Sequence, residues 1–224
     1  MEKAIFTIKS IVSFLLEILF PSKCIGCHKK GVILCENCVD SIRLAERPTE
    51  DRIMALYDYR DPVIKKAIWK LKYYHSPYLG RKLGNLLYES FLEEINLLQM
   101  FCQGSPILVI PVPISHDKKK TRGYNQSEII ARSFTNLGGT KLFELKKDIV
   151  YKKLNTIPQA RIENRNKRLQ NIKDAFLIKN KEKVKGRTVI VIDDVTTTGG
   201  TLTEMIKLLR KSGARKVVGF AVAH

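Results

Sequence analysis

Residues 189–201, VIVIDDVTTTGGT, set two adjacent carboxylates, Asp193 and Asp194, between four apolar residues and a run of threonines and glycines. Leu202, Met205, Ile206 and Leu209 follow at helical spacing, and Gly213 ends that pattern. The stretch therefore reads as a buried strand, a turn and the start of a helix. A helix start offers free backbone N–H groups and the positive end of the dipole, which suit a phosphate. Gly199 and Gly200 let the backbone come close, and Thr196, Thr197, Thr198 and Thr201 add hydroxyls, so no cationic side chain is needed in the turn. Carboxylates repel phosphate, and successive strand residues point to opposite sides. Asp193 and Asp194 must face something uncharged or cationic just upstream of the phosphate, and ribose hydroxyls and a bound Mg²⁺ both fit. A phosphate beside a cis-diol is a ribose 5-phosphate. The turn matches neither Gly-x-x-x-x-Gly-Lys-Ser/Thr nor Gly-x-Gly-x-x-Gly, so P-loop and dinucleotide readings fall away.

A second constellation lies near the N-terminus. In CIGCHKKGVILCENC, Cys24, Cys27, Cys35 and Cys38 form two Cys-x-x-Cys knuckles. Two knuckles supply four thiolates to one tetrahedral centre, the donor set of a closed structural zinc site with no open position for catalysis. Gly26 and Asn37 suit the tight turns because both tolerate positive φ. Two disulfides are the alternative, disfavoured in the reducing compartment expected of a chain with no signal peptide. His28 reads as a surface residue and Cys102 as an isolated buried thiol.

These residues need elements to hold them. The 224 residues suffice for one full domain and a small module. We expect an N-terminal helix and zinc module over 1–45 and a larger domain over 50–224. Ile5, Ile8, Val12, Leu15, Leu16 and Leu19 form an amphipathic stripe. Lys9 and Glu17 interrupt it, which argues against a membrane span; it packs on its own domain or docks on a membrane surface or partner. Strands are expected at 53–59, 107–113, 148–153, 175–178, 188–193 and 216–224, and helices at 62–74, 79–98 and 125–137, the last ended by Gly138 and Gly139. Strands alternating with helices predict an α/β domain with a mostly parallel sheet. The polar, basic stretch 156–172 is a long excursion of the kind usually given to function. The net charge of +18 attracts polyanions such as nucleic acid.

The signature at 189–201 resembles the phosphoribosyl pyrophosphate motif of type I phosphoribosyltransferases, matching it at every defined position. The zinc knuckles, WKLKYY (69–74), IPVPIS (110–115), RGYNQSEIIAR (122–132), PQARIENRNKRLQNIKDAF (158–176) and the signature occur in this order in the ComF family. The resemblance covers nearly the whole chain. It implies a type I phosphoribosyltransferase-like fold and a cytoplasmic role in DNA uptake during natural competence, beside a DNA-translocating helicase; a peripheral position on the inner face of the membrane stays open. It implies that Asp193 and Asp194 hold the ribose, directly or through Mg²⁺, and that Thr196 to Thr201, with Val195 before them, form the phosphate cradle. It places Arg122, Gly123 and Lys118 to Lys120 in the pyrophosphate loop, and Gln159, Arg161, Arg165 and Arg168 in a loop that closes over the site.

Other assignments stay open at this stage. Lys118, Lys119 and Lys120 form either a phosphate-binding or a solvated run. Lys72 and Tyr73 are site or DNA contacts, or a helix end packed on the sheet. Tyr74, Tyr78 and Tyr124 either stack bases or are half-buried. No acceptor pocket is evident. Three functions follow: a competence protein that binds Mg²⁺–phosphoribosyl pyrophosphate and single-stranded DNA, an active phosphoribosyltransferase with an unidentified acceptor, or a non-catalytic adaptor for a DNA-uptake helicase.

Overall fold

The apolar runs at 107–111, 188–195 and 216–223 leave no polar face for water, and each becomes a sheet strand covered on both sides. The computed structural model describes residues 22–46, 52–74, 76–153 and 175–224. The N-terminal stripe, most of the connection at 46–52 and the basic excursion lie outside them. The chain divides into a unit ending at Ile42 and a unit from Arg43 to His224.

In the smaller unit one helix is described, α1 (Glu36–Asp40), with Ile25, Leu34, Val39 and Ile42 buried. Its knuckle turns differ from expectation. The left-handed positions belong to His28 (φ 62°) and Gly31 (φ 83°), not to Gly26 and Asn37. Asn37 lies in α1, and the first turn closes through the His28 N–H to Cys24 O at 3.0 Å.

The larger unit holds β1 (Ile53–Tyr57), β2 (Ile107–Pro111), β3 (Phe143–Leu145), β4 (Val150–Lys152), β5 (Phe176–Ile178), β6 (Thr188–Val195) and β7 (Lys216–Ala223). Its helices are α2 (Pro62–Tyr73), α3 (Pro77–Ser90), α4 (Leu92–Gln99), α5 (His116–Arg122), α6 (Gln126–Leu142) and α7 (Gly200–Lys211). Five strands form a sheet in the order β1-β7-β6-β2-β3, and every pairing is parallel. Strands β4 and β5 pair antiparallel in a separate ribbon.

The strand order fixes where a ligand can sit. From β2 the chain moves to β3 on one side, and from β6 it moves to β7 on the other. The connections diverge between two adjacent parallel strands and open a crevice at their carboxyl ends, the usual ligand position of an open α/β sheet. Asp193 and Asp194 lie at that end of β6.

Three differences from the sequence reading have local causes. The helix expected at 79–98 breaks at Phe91 (φ −115°, ψ 26°), which buries the Phe91 ring 4.7 Å from Phe220. Helical backbone fails at Gly139 (φ 74°, ψ 172°) and resumes to Leu142, so α6 outruns its expected end. The expected loop after β2 contains α5, where Ser115 Oγ accepts from the Lys118 N–H and Gly123 (φ 77°) ends the turn; Lys119, Lys120 and Arg122 suit the negative end of its dipole.

Candidate functional site

The crevice is a solvent-open cleft lined by charged and polar side chains. Four local structures build it. The β6 end supplies Asp193 and Asp194, both buried. Asn125 caps α6, accepting from the Ser127 N–H at 3.1 Å and donating to Val112 O at 2.9 Å, which pins the helix start to the end of β2. Tyr124 donates its hydroxyl to Leu71 O, tying the same loop to α2 and placing Lys72 at the cleft. After Val195 the chain turns through Thr196–Gly199, with Gly199 left-handed at φ 70°, a conformation a β-branched residue resists.

The two carboxylates have different partners. Asp193 Oδ1 accepts from Ser127 Oγ and from the Asp194 N–H, each at 2.9 Å. Asp194 Oδ1 accepts from the Val195 N–H at 2.9 Å, and Lys72 Nζ lies 3.1 Å from Asp194 Oδ2. That ion pair is the contact the described residues give the buried Asp194 Oδ2. Gln126 Nε2, also buried, has no acceptor among the described residues. The Thr196 N–H is taken by Ala223 O (2.9 Å). The first bond of α7, Thr203 N–H to Gly199 O at 2.8 Å, leaves the N–H groups of Gly200, Thr201 and Leu202 without intrahelical partners.

Cations outnumber these acids. Lys72, Lys118, Arg122 and Lys152 line the cleft with Asp193 and Asp194. Burial opposes the Lys72 ammonium, but Asp194 outweighs it and the net direction is up. Lys118 is lowered by burial and by the charges of Lys152, Arg122 and Lys72, and Lys152 is lowered by burial. At Lys118 the neighbouring cations add to the effect of burial, so that corner of the cleft is short of negative charge.

Burial, with the Asp194 carboxylate beside it, pushes Asp193 up to about 7. Its unfolded value is ~3.9. The raised value contributes stability that is fully present below the unfolded pKa and is lost as pH rises through about 7. Urea-unfolding stability of the wild type relative to Asp193→Asn should therefore fall between pH ~4 and ~7. Parallel profiles across that window would mean that Asp193 ionises like an exposed carboxyl.

The N-terminal unit holds the second centre. The Sγ atoms of Cys24 and Cys35, and of Cys27 and Cys35, are 3.6 Å apart, and all four cysteine sulfurs lie within 4.8 Å of one another. A tetrahedral centre with bonds of ~2.3 Å has edges of ~3.8 Å. Cys24, Cys27, Cys35 and Cys38 thus fit a tetrahedral metal. His28 is exposed. Cys102 is half-buried rather than buried, because its Sγ bonds Leu98 O at 3.3 Å at the rim of α4.

A phosphoribosyl transferase domain family matches residues 118–224. Competence protein F of Haemophilus influenzae is 30% identical over 214 residues, which cover 90% of each chain. The chain belongs to the ComF family. DNA utilization protein YhgH of Escherichia coli is 28% identical over 174 residues, 78% of this chain and 72% of that protein. Hypoxanthine phosphoribosyltransferase of Trypanosoma cruzi aligns with a TM-score of 0.39 and 8% identity over 65% of this chain and 64% of its own. The larger unit has the type I phosphoribosyltransferase fold, a parallel sheet of five strands flanked by helices.

Within this ComF-family chain, the structure brings Asp193, Asp194, Val195, Thr201, Lys118, Arg122 and Lys72 to one cleft. Thr197 and Thr198 lie in the turn that leads into α7, and Gly200 opens that helix. Lys119 lines a neighbouring cleft, and Lys120 is exposed. Lys72, a candidate site or DNA contact from sequence, faces Asp194 in the cleft, while Tyr73 on the next residue is exposed. Gln159, Arg161, Arg165 and Arg168 lie outside the described residues. Sequence reasoning missed Gln126, Ser127 and Lys152. The signal for the first two was Asn125, a capping residue directly after the β2 loop.

Proposed function

We propose that the chain binds Mg²⁺–phosphoribosyl pyrophosphate in the β2/β6 cleft and handles single-stranded DNA in natural transformation, on the cytoplasmic side beside a DNA-uptake helicase. One observation carries the ligand assignment. Four cations share a cleft with two buried carboxylates, Asp193 and Asp194, and with a buried amide donor, Gln126 Nε2, that has no acceptor among the described residues. An anion that also carries hydroxyls or a metal meets all of these needs, and inorganic phosphate alone does not.

Asp193 and Asp194 would hold the ribose hydroxyls or the Mg²⁺. Bound there, magnesium neutralises phosphate charge. The Thr197–Thr201 turn and the open N–H groups of α7 would receive the 5-phosphate. Arg122, whose planar fork suits two phosphate oxygens, would take the pyrophosphate with Lys118, and Gly123 permits the close turn behind them. Gln159, Arg161 and Arg165 remain candidates for a closing loop. Zinc on Cys24, Cys27, Cys35 and Cys38 would be structural.

The competence role rests on membership of the ComF family and on its Competence protein F and DNA utilization relatives. The charge of +18 supports nucleic-acid contact. No helix among the described residues is long and apolar enough to cross a membrane.

A second reading, turnover, is favoured by a neighbouring cleft that shares Pro113, Ile114 and Lys152 with the first and adds Glu128, Asp148 and Tyr151. An acceptor there would adjoin the ribose, and pyrophosphate release on its addition would establish a transferase.

The test is calorimetric titration with phosphoribosyl pyrophosphate, ribose 5-phosphate and pyrophosphate, each with Mg²⁺. The whole ligand should bind more than about tenfold tighter than either part, because joining the parts saves the entropy of placing two molecules. Equal affinity for pyrophosphate alone would reduce the cleft to a cationic patch.

A further inference from the structure

Residues 62–88 carry six Lys and Arg and no Asp or Glu. Within them four large aromatic side chains face water: Trp69 is 51% exposed, Tyr73 61%, Tyr74 60% and Tyr78 56%. Burial of Ile64, Ala67, Ile68 and Leu71 fixes α2 against the core and turns Trp69 and Tyr73, one helical turn apart, outward together. Tyr74 follows the helix end, and Tyr78 opens α3.

Trp69, Tyr73 and Tyr74 form one tier, and Tyr78 follows four residues after Tyr74. The Trp69 ring lies 5.9 Å from Tyr73 and 4.9 Å from Tyr74. The Arg81 guanidinium sits 4.3 Å above the Tyr78 ring, and that of Arg122 sits 5.3 Å from Tyr73. Arg122 also lines the ligand cleft, so the tier borders it. Four aromatics left in water cost hydrophobic free energy that the core does not recover. Surface aromatics among cations, on a stretch of chain without an acid, complement flat π-faces joined by a phosphate backbone.

We propose that Trp69, Tyr73, Tyr74 and Tyr78, with Arg81 and Arg122, form a base-stacking platform for single-stranded nucleic acid. The inference rests on the single-strand reading above and names its surface. Unpaired bases stack on the rings, and the cations hold the backbone between them. Duplex DNA, whose bases already stack on each other, gains only the backbone contacts.

Trp69 is the sole tryptophan of the chain, so its emission reports directly on the platform. Oligo-dT is titrated into the full-length protein, with binding followed by anisotropy of a labelled strand and by Trp69 fluorescence. The proposal expects saturable quenching of Trp69 with the same midpoint as the anisotropy. Tyr73→Ala with Tyr78→Ala should weaken binding about tenfold or more, and the corresponding phenylalanine pair should restore it. The salt dependence should stay the same in all three proteins, because the phosphate contacts are untouched. All four rings are more than half exposed, so these substitutions leave the fold intact. Binding by anisotropy with unchanged Trp69 emission and unweakened alanine variants would overturn the platform and leave the single-strand reading standing. Equal quenching by heparin, a polyanion without bases, would also overturn it. No binding by anisotropy would remove the single-strand reading itself, and the platform with it.

Discussion

With zinc on the four cysteines as proposed, Cys38→Ser will release the metal and unfold the N-terminal unit, while Arg43–His224 keeps its folded signal. The N-terminal unit's described residues offer little else to hold it. Among its described residues, the buried apolar side chains besides Cys24 are Ile25, Leu34, Val39 and Ile42, and its helix has five residues. So small a core cannot offset the entropy of ordering the segment. Binding of zinc to a four-cysteine site contributes on the order of 10–16 kcal/mol at neutral pH. A serine hydroxyl in place of one thiolate removes most of that. Metal analysis should find one zinc per wild-type chain and less than a tenth of that, as a rough guide, in the variant. Proteolysis should clip the variant before Arg43. Full zinc in Cys38→Ser, or a folded metal-free unit, would show that the knuckles are held by something else.

Gly199→Val will abolish ligand binding at a small cost to the fold. Gly199 sits at φ 70°, where the chain leaves the β6 end and enters α7. A β-branched residue there costs on the order of 1–3 kcal/mol. The turn is exposed enough at Thr197 to relax, and relaxation moves the Gly200, Thr201 and Leu202 N–H groups off their common direction. Loss of two charge-assisted hydrogen bonds, at about 1.5–3 kcal/mol each, corresponds to a hundredfold or greater drop in affinity. Gly199→Asn, which tolerates left-handed backbone, should lose far less. Equal loss in both variants would point to crowding of the ligand rather than to backbone direction. Unchanged affinity in Gly199→Val would remove the turn from the site.

Contiguity decided what could be read from the chain. The cysteine knuckles and the Asp193–Thr201 turn are local, and their chemistry is legible in consecutive residues. The buried strands were legible for the same reason, since ILVIP and the VIVI of residues 189–192 have no face to give to water. The rest of the cleft depends on which strands are neighbours. Ser127 stands 66 residues from Asp193 in sequence, and only the β2–β6 pairing brings its hydroxyl to the carboxylate. Lys72 reads as one lysine in a basic helix until the Tyr124–Leu71 contact places it at Asp194. Strand β3 escaped because three residues after a glycine break carry no periodicity. The left-handed positions of the knuckle were misplaced because geometry, not residue preference, put His28 there.

The central claim is that Asp193 and Asp194 make the cleft a site for Mg²⁺–phosphoribosyl pyrophosphate. The most direct measurement is isothermal titration of that ligand, with Mg²⁺, into the wild type and into the Asp193→Asn, Asp194→Asn double variant. Asparagine keeps the shape of each side chain and removes its charge. The account predicts saturable one-to-one binding by the wild type and none detectable in a variant whose circular dichroism is native. Wild-type affinity retained in the folded variant, or no binding by the wild type, would contradict it.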